Sequence, residues 1–304
     1  MPMQEKGATD MYSEIVFQDR WIFYKHLFCK NSSEAFTKFN NLEAYTLMYN
    51  FSGDKKHLVE GNRYLINPGD MLITKPNEAF TRFVSLHDDS EYGVFIFMRS
   101  VIKQFDPKYL LLGELDNREP GEANVLRFPD EIRNYVEFAI KSIDRNKDDY
   151  HKRLLIYATL LQLLEVIAHT EAIRIDPEPC EHREILAYIN QDISLPHTNQ
   201  SLAKHFFMSE SQFRRVFKQI TGSTLTDYLN SKRVNCARQL IRTGTKAKDA
   251  AQAVGFNQYI SFYNANKKFY VSTPSGEHPT EGNDPLLDNG FYGNTLDVQS
   301  YLSR

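Results

Sequence analysis

The chain has 304 residues, about twice a typical domain length, with 41% hydrophobic and 25% charged residues, so we expect two globular units. The net charge is −3, but the charges are unevenly distributed along the chain: 181–278 carries 13 Lys and Arg against 7 Asp and Glu. A basic segment of this kind is typical of a module that binds phosphates, or of an ordinary solvated helical surface. The sequence has no signal-peptide pattern, and its three cysteines lie outside any CxxC spacing, so we expect a cytoplasmic protein without a membrane span or disulfide framework.

The first part of the chain has the pattern of short β-strands. β-branched and aromatic residues dominate 44–49, 64–66, 71–74 and 94–97. Turn-forming residues separate these runs at 52–54, 61–62, 67–70 and 76–77. This rhythm predicts an antiparallel sandwich or barrel, which we place in 1–122 together with an N-terminal arm.

The hydrophobic period changes to that of helices at Pro129. Apolar residues recur at helical spacing over 132–143 and 154–168, on either side of a polar break. These two helices can cap the barrel or can pair between two subunits. We expect a homodimer joined through the stripe Leu154, Leu161, Leu164 and Ala168. The helix pair and the Pro-containing linker that follows it make up 123–180.

Helical periodicity dominates 181–278. The predicted helices are 182–193, 199–206, 210–221, 225–242, 246–254 and 258–270. No sustained period continues beyond Pro279, so 279–304 is predicted to be a disordered tail.

Two short helices within 201–222 have the pattern of a helix-turn-helix unit. Apolar residues place one buried face on each helix, with a tight turn between them. Ser209 and Gln212 have the spacing of a capping box that starts the second helix, and Gly222 is expected to end it. A surface helix with ordinary solubilising charge would show part of this pattern too.

A larger set of residues between 202 and 274 decides between these alternatives. The set comprises Leu202, Ala203, Ser209, Phe213, Arg215, Phe217, Lys218, Gly222, Tyr228, Leu229, Arg233, Ala237, Leu240, Ala251, Val254, Gly255, Phe256, Phe262, Lys267, Lys268, Phe269, Thr273 and Pro274. In this register the segment closely resembles the DNA-binding domain of the AraC family of transcription regulators. The resemblance implies two helix-turn-helix units on one long linking helix, whose exposed faces at 210–218 and 258–268 enter successive major grooves.

The resemblance also implies a set of DNA contacts and partners. The predicted DNA-binding residues are Ser209, Ser211, Gln212, Arg214, Arg215 and Lys218 in the first unit, and Tyr259, Ile260, Asn264, Lys267 and Lys268 in the second. The expected partners are double-stranded DNA and RNA polymerase, and the expected role is that of an activator.

The second unit departs from the family pattern. Ala247 and Ala250 stand where larger aliphatic residues are usual, Asn266 where an aromatic residue is usual, and Asn264 where arginine is usual. Val271 and the segment 276–278 also differ. Each lost apolar side chain could cost about 1–3 kcal/mol of burial free energy, so we expect this unit to have a thinner core and to bind DNA more weakly than the first.

The strand-rich part resembles the cupin-type sensor barrel of the same family at the turn 67–73 and at Pro76-Asn77-Glu78. Enzymatic cupins hold a metal through a His-x-His pair with further His and Glu ligands. The barrel histidines His26, His57 and His87 lack this spacing, and Phe80 occupies a position where histidine is common. We therefore expect neither a metal nor a cofactor, and no enzymatic activity.

A small-molecule effector, with a sugar as the candidate, is expected inside the barrel. The predicted effector contacts are Tyr24, Tyr45, Tyr49, Phe80, Arg82 and Tyr92. The overall expectation is an α+β protein in which a cupin-like antiparallel barrel precedes a helix pair and an all-α double helix-turn-helix domain. The alternatives are a small-molecule-binding cupin enzyme and an interaction protein that does not bind DNA.

Overall fold

The structure is a computed structural model that describes residues 11–18, 21–29, 37–53, 55–83, 89–145, 148–178 and 180–270. Antiparallel sheets occupy the N-terminal part and helices the C-terminal part, which confirms the predicted α+β class. The predicted disordered tail at 279–304 and the last residues of the predicted DNA-binding domain lie outside the described residues.

The strands form two antiparallel sheets. Their bounds are β1 Met11–Gln18, β2 Ile22–Cys29, β3 Thr37–Asn41, β4 Tyr45–Ser52, β5 Lys55–Val59, β6 Asn62–Ile66, β7 Asp70–Thr74, β8 Ala79–Phe83, β9 Ser90–Phe97, β10 Val125–Arg127 and β11 Ile173–Ile175. One sheet has the order β1-β2-β9-β4-β7-β10-β11 and the other the order β3-β8-β5-β6. The four predicted strands correspond to β4, β6, β7 and β9. Sequence reasoning missed the others, whose apolar patterns are shorter or interrupted by charges.

Two short helices lie between β9 and β10, two long ones lie between β10 and β11, and the remaining six follow β11. Their bounds are α1 Ser100–Lys103, α2 Gly113–Asp116, α3 Asp130–Asp144, α4 Asp149–His169, α5 Arg183–Gln191, α6 Asn199–His205, α7 Glu210–Thr221, α8 Leu225–Arg242, α9 Ala247–Ala253 and α10 Tyr259–Phe269. Within the described residues, none of these helices combines the length and the apolar composition that crossing a bilayer requires.

The larger sheet buries both of its faces. Phe23, Met48, Tyr92 and their neighbours pack against the smaller sheet and form the interior between the two sheets, the unit that we call the barrel. Residues of opposite parity on the same strands, such as Leu47 and Phe95, pack against α3 and α4. Because both faces are apolar, these strands lack the hydrophobic alternation that would have revealed from sequence which side chains point inward.

The helix pair α3 and α4 covers the outer face of the larger sheet. Leu164 is completely buried in that layer, and Leu161 is partly buried against it. The expectation that Leu164 belongs to an exposed dimerisation stripe is therefore wrong, because the sheet already occupies that face of α4. Leu154 remains 51% exposed, and Phe138 on α3 is 64% exposed.

The six predicted C-terminal helices are all present, with bounds within two residues of the predicted ones. Local signals explain this agreement. The side chain of Ser209 accepts a hydrogen bond from the N–H of Gln212 at 3.2 Å, and Gly222 ends α7 with a left-handed φ of 71°. The structure places the reciprocal capping box one helix earlier, at Thr198 and Ser201 of α6.

Candidate nucleic-acid interface and effector site

The first candidate recognition helix is α7, which is strongly two-faced. Phe213, Val216 and Phe217 are buried against α6 and α8. The six residues predicted to bind DNA on this unit are all exposed: Ser209 caps the start of α7, and Ser211, Gln212, Arg214, Arg215 and Lys218 lie on the helix away from its buried face. The packing therefore fixes the rotation of α7, while its hydrogen-bond donors remain accessible to a groove.

The two arginines of α7 differ in their surroundings. Arg214 forms an ion pair with Glu210, one turn earlier on the same helix, and both side chains are largely exposed. Exposed pairs of this kind contribute about 0–1 kcal/mol, so a phosphate or base can displace Glu210 at small cost. Arg215 is exposed one position further around the helix.

The second candidate recognition helix is α10. The predicted contacts Tyr259, Ile260, Asn264, Lys267 and Lys268 are all exposed. Lys268 forms an ion pair with Asp227 of α8, which ties its charge to the linking helix. Lys267 lies over the ring of Tyr263, with its Nζ 5.7 Å from the ring centroid.

The core of the second unit contains several alanines. Asn266, which stands where the family has an aromatic residue, takes part in this core through a polar contact. Asn266 is completely buried, and its Oδ1 accepts a hydrogen bond from Arg238 of α8 at 3.3 Å. The guanidinium of Arg238 lies 3.8 Å from the ring centroid of Tyr270. A polar interaction therefore occupies the position where the family has an aromatic residue. Sequence reasoning missed Arg238, since a buried arginine has no local signal.

The smaller sheet of the barrel packs against the helix-turn-helix part of the chain. Glu60, at the turn between β5 and β6, accepts hydrogen bonds from Tyr228 at 2.7 Å and from Asn190 at 3.1 Å, and it pairs with Lys232. Burial, followed by the charge and hydrogen bond of Glu60, raises the pKa of Tyr228 well above its usual value. A buried carboxylate needs such partners, so these contacts fix the position of the turn between β5 and β6 relative to α5 and α8.

Three predicted effector contacts point away from the barrel interior. The hydroxyl of Tyr24 donates to Asp144 at 3.1 Å, that of Tyr45 to Asp116 at 2.8 Å, and that of Tyr49 to Glu137 at 2.9 Å. Burial and then these carboxylates raise the pKa of each phenol. The expectation that they line the interior is wrong, because their strand parity directs them towards the helix layer.

The remaining effector candidates lie on strands that face the interior. Phe80 and Tyr92 belong to the apolar cluster between the sheets and are 8% and 2% exposed. Arg82 lies on β8, where its backbone is paired with those of Lys38 and His57. The side chain of Arg82 lies outside the described residues.

The barrel histidines are separated by the fold. His26 faces the helix layer, where its ring nitrogens contact the carboxylates of Asp144 and Glu91. His57 is completely buried on β5, and His87 lies outside the described residues. Among the residues that the structure describes, no group of three or more His, Cys, Asp and Glu side chains is arranged to hold a metal ion.

Comparison with known proteins finds similarity over the helical segment. Residues 202–276 match the family model described as a helix-turn-helix domain. The chain is 25% identical over 181 residues to an uncharacterized response regulatory protein of Staphylococcus epidermidis, a match that covers 57% of this chain and 70% of the relative. It is 35% identical over 92 residues to the transcriptional regulatory protein HptR of Staphylococcus aureus, covering 30% of this chain and 36% of HptR. The crystal structure of ToxT from Vibrio cholerae is a more distant likeness, with a TM-score of 0.34, 16% identity and coverage of 84% of this chain and 97% of ToxT.

Proposed function

We infer that this chain is a transcription regulator of the AraC family, which recognises a specific DNA sequence with α7 and α10 and responds to a small molecule bound in its barrel. The observation that carries the DNA-binding part is the geometry of α7. Its apolar face is buried and its start is capped by Ser209, while Gln212, Arg214 and Arg215 project from the exposed face. These side chains can donate to base edges and phosphates in a major groove.

The experiment that tests DNA recognition is selection of genomic fragments bound by the purified chain, followed by affinity measurements on the selected site at several salt concentrations. We expect tight binding to one sequence and an affinity that falls steeply as salt rises, because phosphate contacts release counterions. Equal binding to selected and scrambled DNA, or no binding to either, would reject the proposal. The second outcome would favour an interaction protein that does not use DNA.

The effector site is proposed to lie between the two sheets, near Phe80, Arg82 and Tyr92. A cluster of aliphatic and aromatic side chains occupies this interior, and the buried polar residues Lys25, Thr46 and His57 share the strand parity of its members. The effector is therefore expected to have a substantial apolar part and a few polar groups, with a sugar stacked on an aromatic ring as the alternative. Titration with panels of sugars and of amphipathic acids, followed by the fluorescence of Trp21 and by thermal stability, distinguishes the two. Stabilisation by neither panel would argue against a site in this interior.

We propose that the protein acts as a homodimer, with the second copy packed on the exposed residues Phe138 and Leu154 of the helix pair. The activator role and the RNA polymerase contact are proposed from the family resemblance alone. A reporter gene placed behind the selected site would decide whether transcription rises or falls. The proposal includes no catalytic activity.

A further inference from the structure

One arginine connects the barrel to the second recognition helix. Arg238 of α8 is completely buried, although arginine is rarely found inside proteins without a charged partner. Its Nε donates to Oε2 of Glu43 at 3.1 Å, and its Nη1 donates to Oδ1 of Asn266 at 3.3 Å. Glu43 precedes β4 of the barrel, whereas Asn266 lies on α10. The single guanidinium therefore spans three parts of the chain.

Glu43 depends on this contact as much as Arg238 does. The Glu43 side chain is 5% exposed, and its Oε2 also accepts a hydrogen bond from Arg242 at 2.6 Å. A carboxylate removed from water must be paired and hydrogen-bonded, since leaving one partner of a buried pair alone is strongly unfavourable. The barrel therefore fixes the position of the Arg238 side chain.

Arg238 in turn is placed to fix α10. Asn266 lies on α10 between the proposed DNA contacts Asn264 and Lys267, and points into the core of the second unit. The ring of Tyr270, which follows the end of α10, covers the guanidinium plane, and the Tyr270 hydroxyl donates to Asn235 of α8. The apolar core around these groups contains several alanines, among them Ala250, Ala251 and Ala265. Small side chains interlock less with their neighbours than large ones do, so they restrict the rotation of α10 less. The polar contacts therefore contribute more to fixing that rotation.

We propose that Arg238 is a positioning residue for the second recognition helix and that Glu43 of the barrel controls it, so that docking of the barrel sets how α10 is presented to DNA. The proposal rests on the proposed function for its consequence in DNA reading. The coupling itself is a property of the free protein and can be tested without DNA.

Glu60 provides a matched control. It is a second buried barrel carboxylate that pairs with α8, through Lys232. Its other partners, Tyr228 and Asn190, belong to the part of the domain around α5 and the start of α8. Glu43→Gln and Glu60→Gln therefore each remove one buried interdomain charge, but only the first removes the charge that faces Arg238.

The first experiment is amide hydrogen exchange of the full chain without DNA. In Glu43→Gln we expect the amides of 259–269 to exchange about tenfold faster than in the wild type, and those of 210–221 to be unchanged, since local opening follows the loss of local contacts. In Glu60→Gln the amides of 259–269 should keep wild-type protection. Unchanged exchange of 259–269 in Glu43→Gln would overturn the proposal. Equal acceleration in both variants would also overturn it, because it would indicate that the barrel separates from the helices as a whole.

A double-mutant cycle with Asn266→Leu tests the route. The leucine restores an apolar side chain of similar size and removes the acceptor of Arg238, so Glu43→Gln should have less effect on 259–269 in this background than in the wild type. Additive effects of the two substitutions would mean that Glu43 acts on α10 by another path and would reject the role of Arg238.

The second experiment measures base discrimination at each position of the selected DNA site. Glu43→Gln should reduce discrimination about tenfold at the positions that α10 covers and leave those covered by α7 unchanged, whereas a structural defect would weaken the whole site. Glu43→Asp, which keeps the charge, should restore at least part of the discrimination. A uniform loss over the site would overturn the positioning role. If the wild type binds no DNA, the proposed function fails while the exchange experiments still decide the coupling.

Discussion

Gly222, which ends α7, lies directly against Thr81 of barrel strand β8. A Cβ added at Gly222 would stand 2.5 Å from Cγ2 of Thr81, and the hydroxyl of Thr81 donates to the carbonyl of Thr221 at 2.6 Å. The residue that ends α7 thus also forms part of the contact with the barrel.

Gly222→Ala should destabilise the protein by more than its backbone conformation alone explains. The φ of 71° at Gly222 costs a non-glycine residue about 1–2 kcal/mol, and the clash with Thr81 adds to this. The control is Gly244→Ala, where φ is 101° and no atom lies within 4 Å of the added Cβ. Urea unfolding of both variants measures the difference. A loss at Gly222 no larger than the backbone strain of about 1–2 kcal/mol would mean that the contact with Thr81 adds nothing.

Phe207→Gly is expected to stabilise the protein. Phe207 lies in the turn between α6 and α7 with a left-handed φ of 56°, and its side chain is 98% exposed. Glycine relieves backbone strain of about 1 kcal/mol without loss of packing. Phe207→Ala is the control, because alanine removes the same ring but retains the strain. A midpoint of denaturation that is not higher for glycine than for alanine would contradict this interpretation.

The ion pair between Glu78 and Arg118 should make stability depend on acid pH. Burial by itself would raise the pKa of Glu78, but the hydrogen bonds and charge of Arg118, with N–H donors from Gly121 and Lys75, hold it below the usual 4.5. A folded-state pKa below the unfolded one contributes stability that is fully present above about pH 4.5 and is lost as pH falls through the folded value.

Glu78→Gln should therefore lower stability at neutral pH by about 3 kcal/mol, as breaking a buried pair does, and should flatten the loss of stability below pH 4.5. Thermal unfolding from pH 3 to pH 7 measures both effects. Glu131→Gln, at an exposed position on α3, should leave the pH profile close to that of the wild type. A wild-type acid slope in Glu78→Gln would assign the pH dependence to other carboxylates.

The first helix-turn-helix unit is expected to contribute most of the sequence discrimination. Arg215→Ala should cost about 1–3 kcal/mol at one base of the selected site, and Asn264→Ala and Tyr259→Ala should cost less. Lys218→Ala should weaken binding to all sequences alike, because it removes a phosphate contact. It should also reduce the slope of log affinity against log salt concentration by about 1. Competition binding on selected and scrambled DNA at fixed salt gives these values. Larger losses from the α10 variants would assign the dominant role to the second unit.

The exposed apolar residues of the helix pair are expected to hold two copies of the chain together. Phe138→Lys combined with Leu154→Lys should give monomers in light scattering, with an unchanged circular dichroism spectrum, since both side chains are exposed. Leu164→Lys should instead unfold the protein, because Leu164 is completely buried. A dimer mass for the double variant would place the interface elsewhere.

The sequence by itself determined the helix-turn-helix part of this protein. The apolar spacing of Phe213, Val216 and Phe217, the cap at Ser209 and the glycine at 222 are local signals, and each acts within one or two helical turns. The helix bounds and the exposed candidate residues could be predicted for that reason. The sequence likewise predicted antiparallel strands from the rhythm of turns around β4, β6, β7 and β9.

Only the tertiary structure decided which way the barrel side chains point and what holds the two parts together. Tyr24, Tyr45 and Tyr49 lie on strands that are buried on both faces, so no alternation marked their direction. Glu43 and Arg238 are 195 residues apart, and neither has a neighbour in sequence that indicates its partner. A contact between such distant residues depends on how complete domains pack, which local periodicity and capping do not encode.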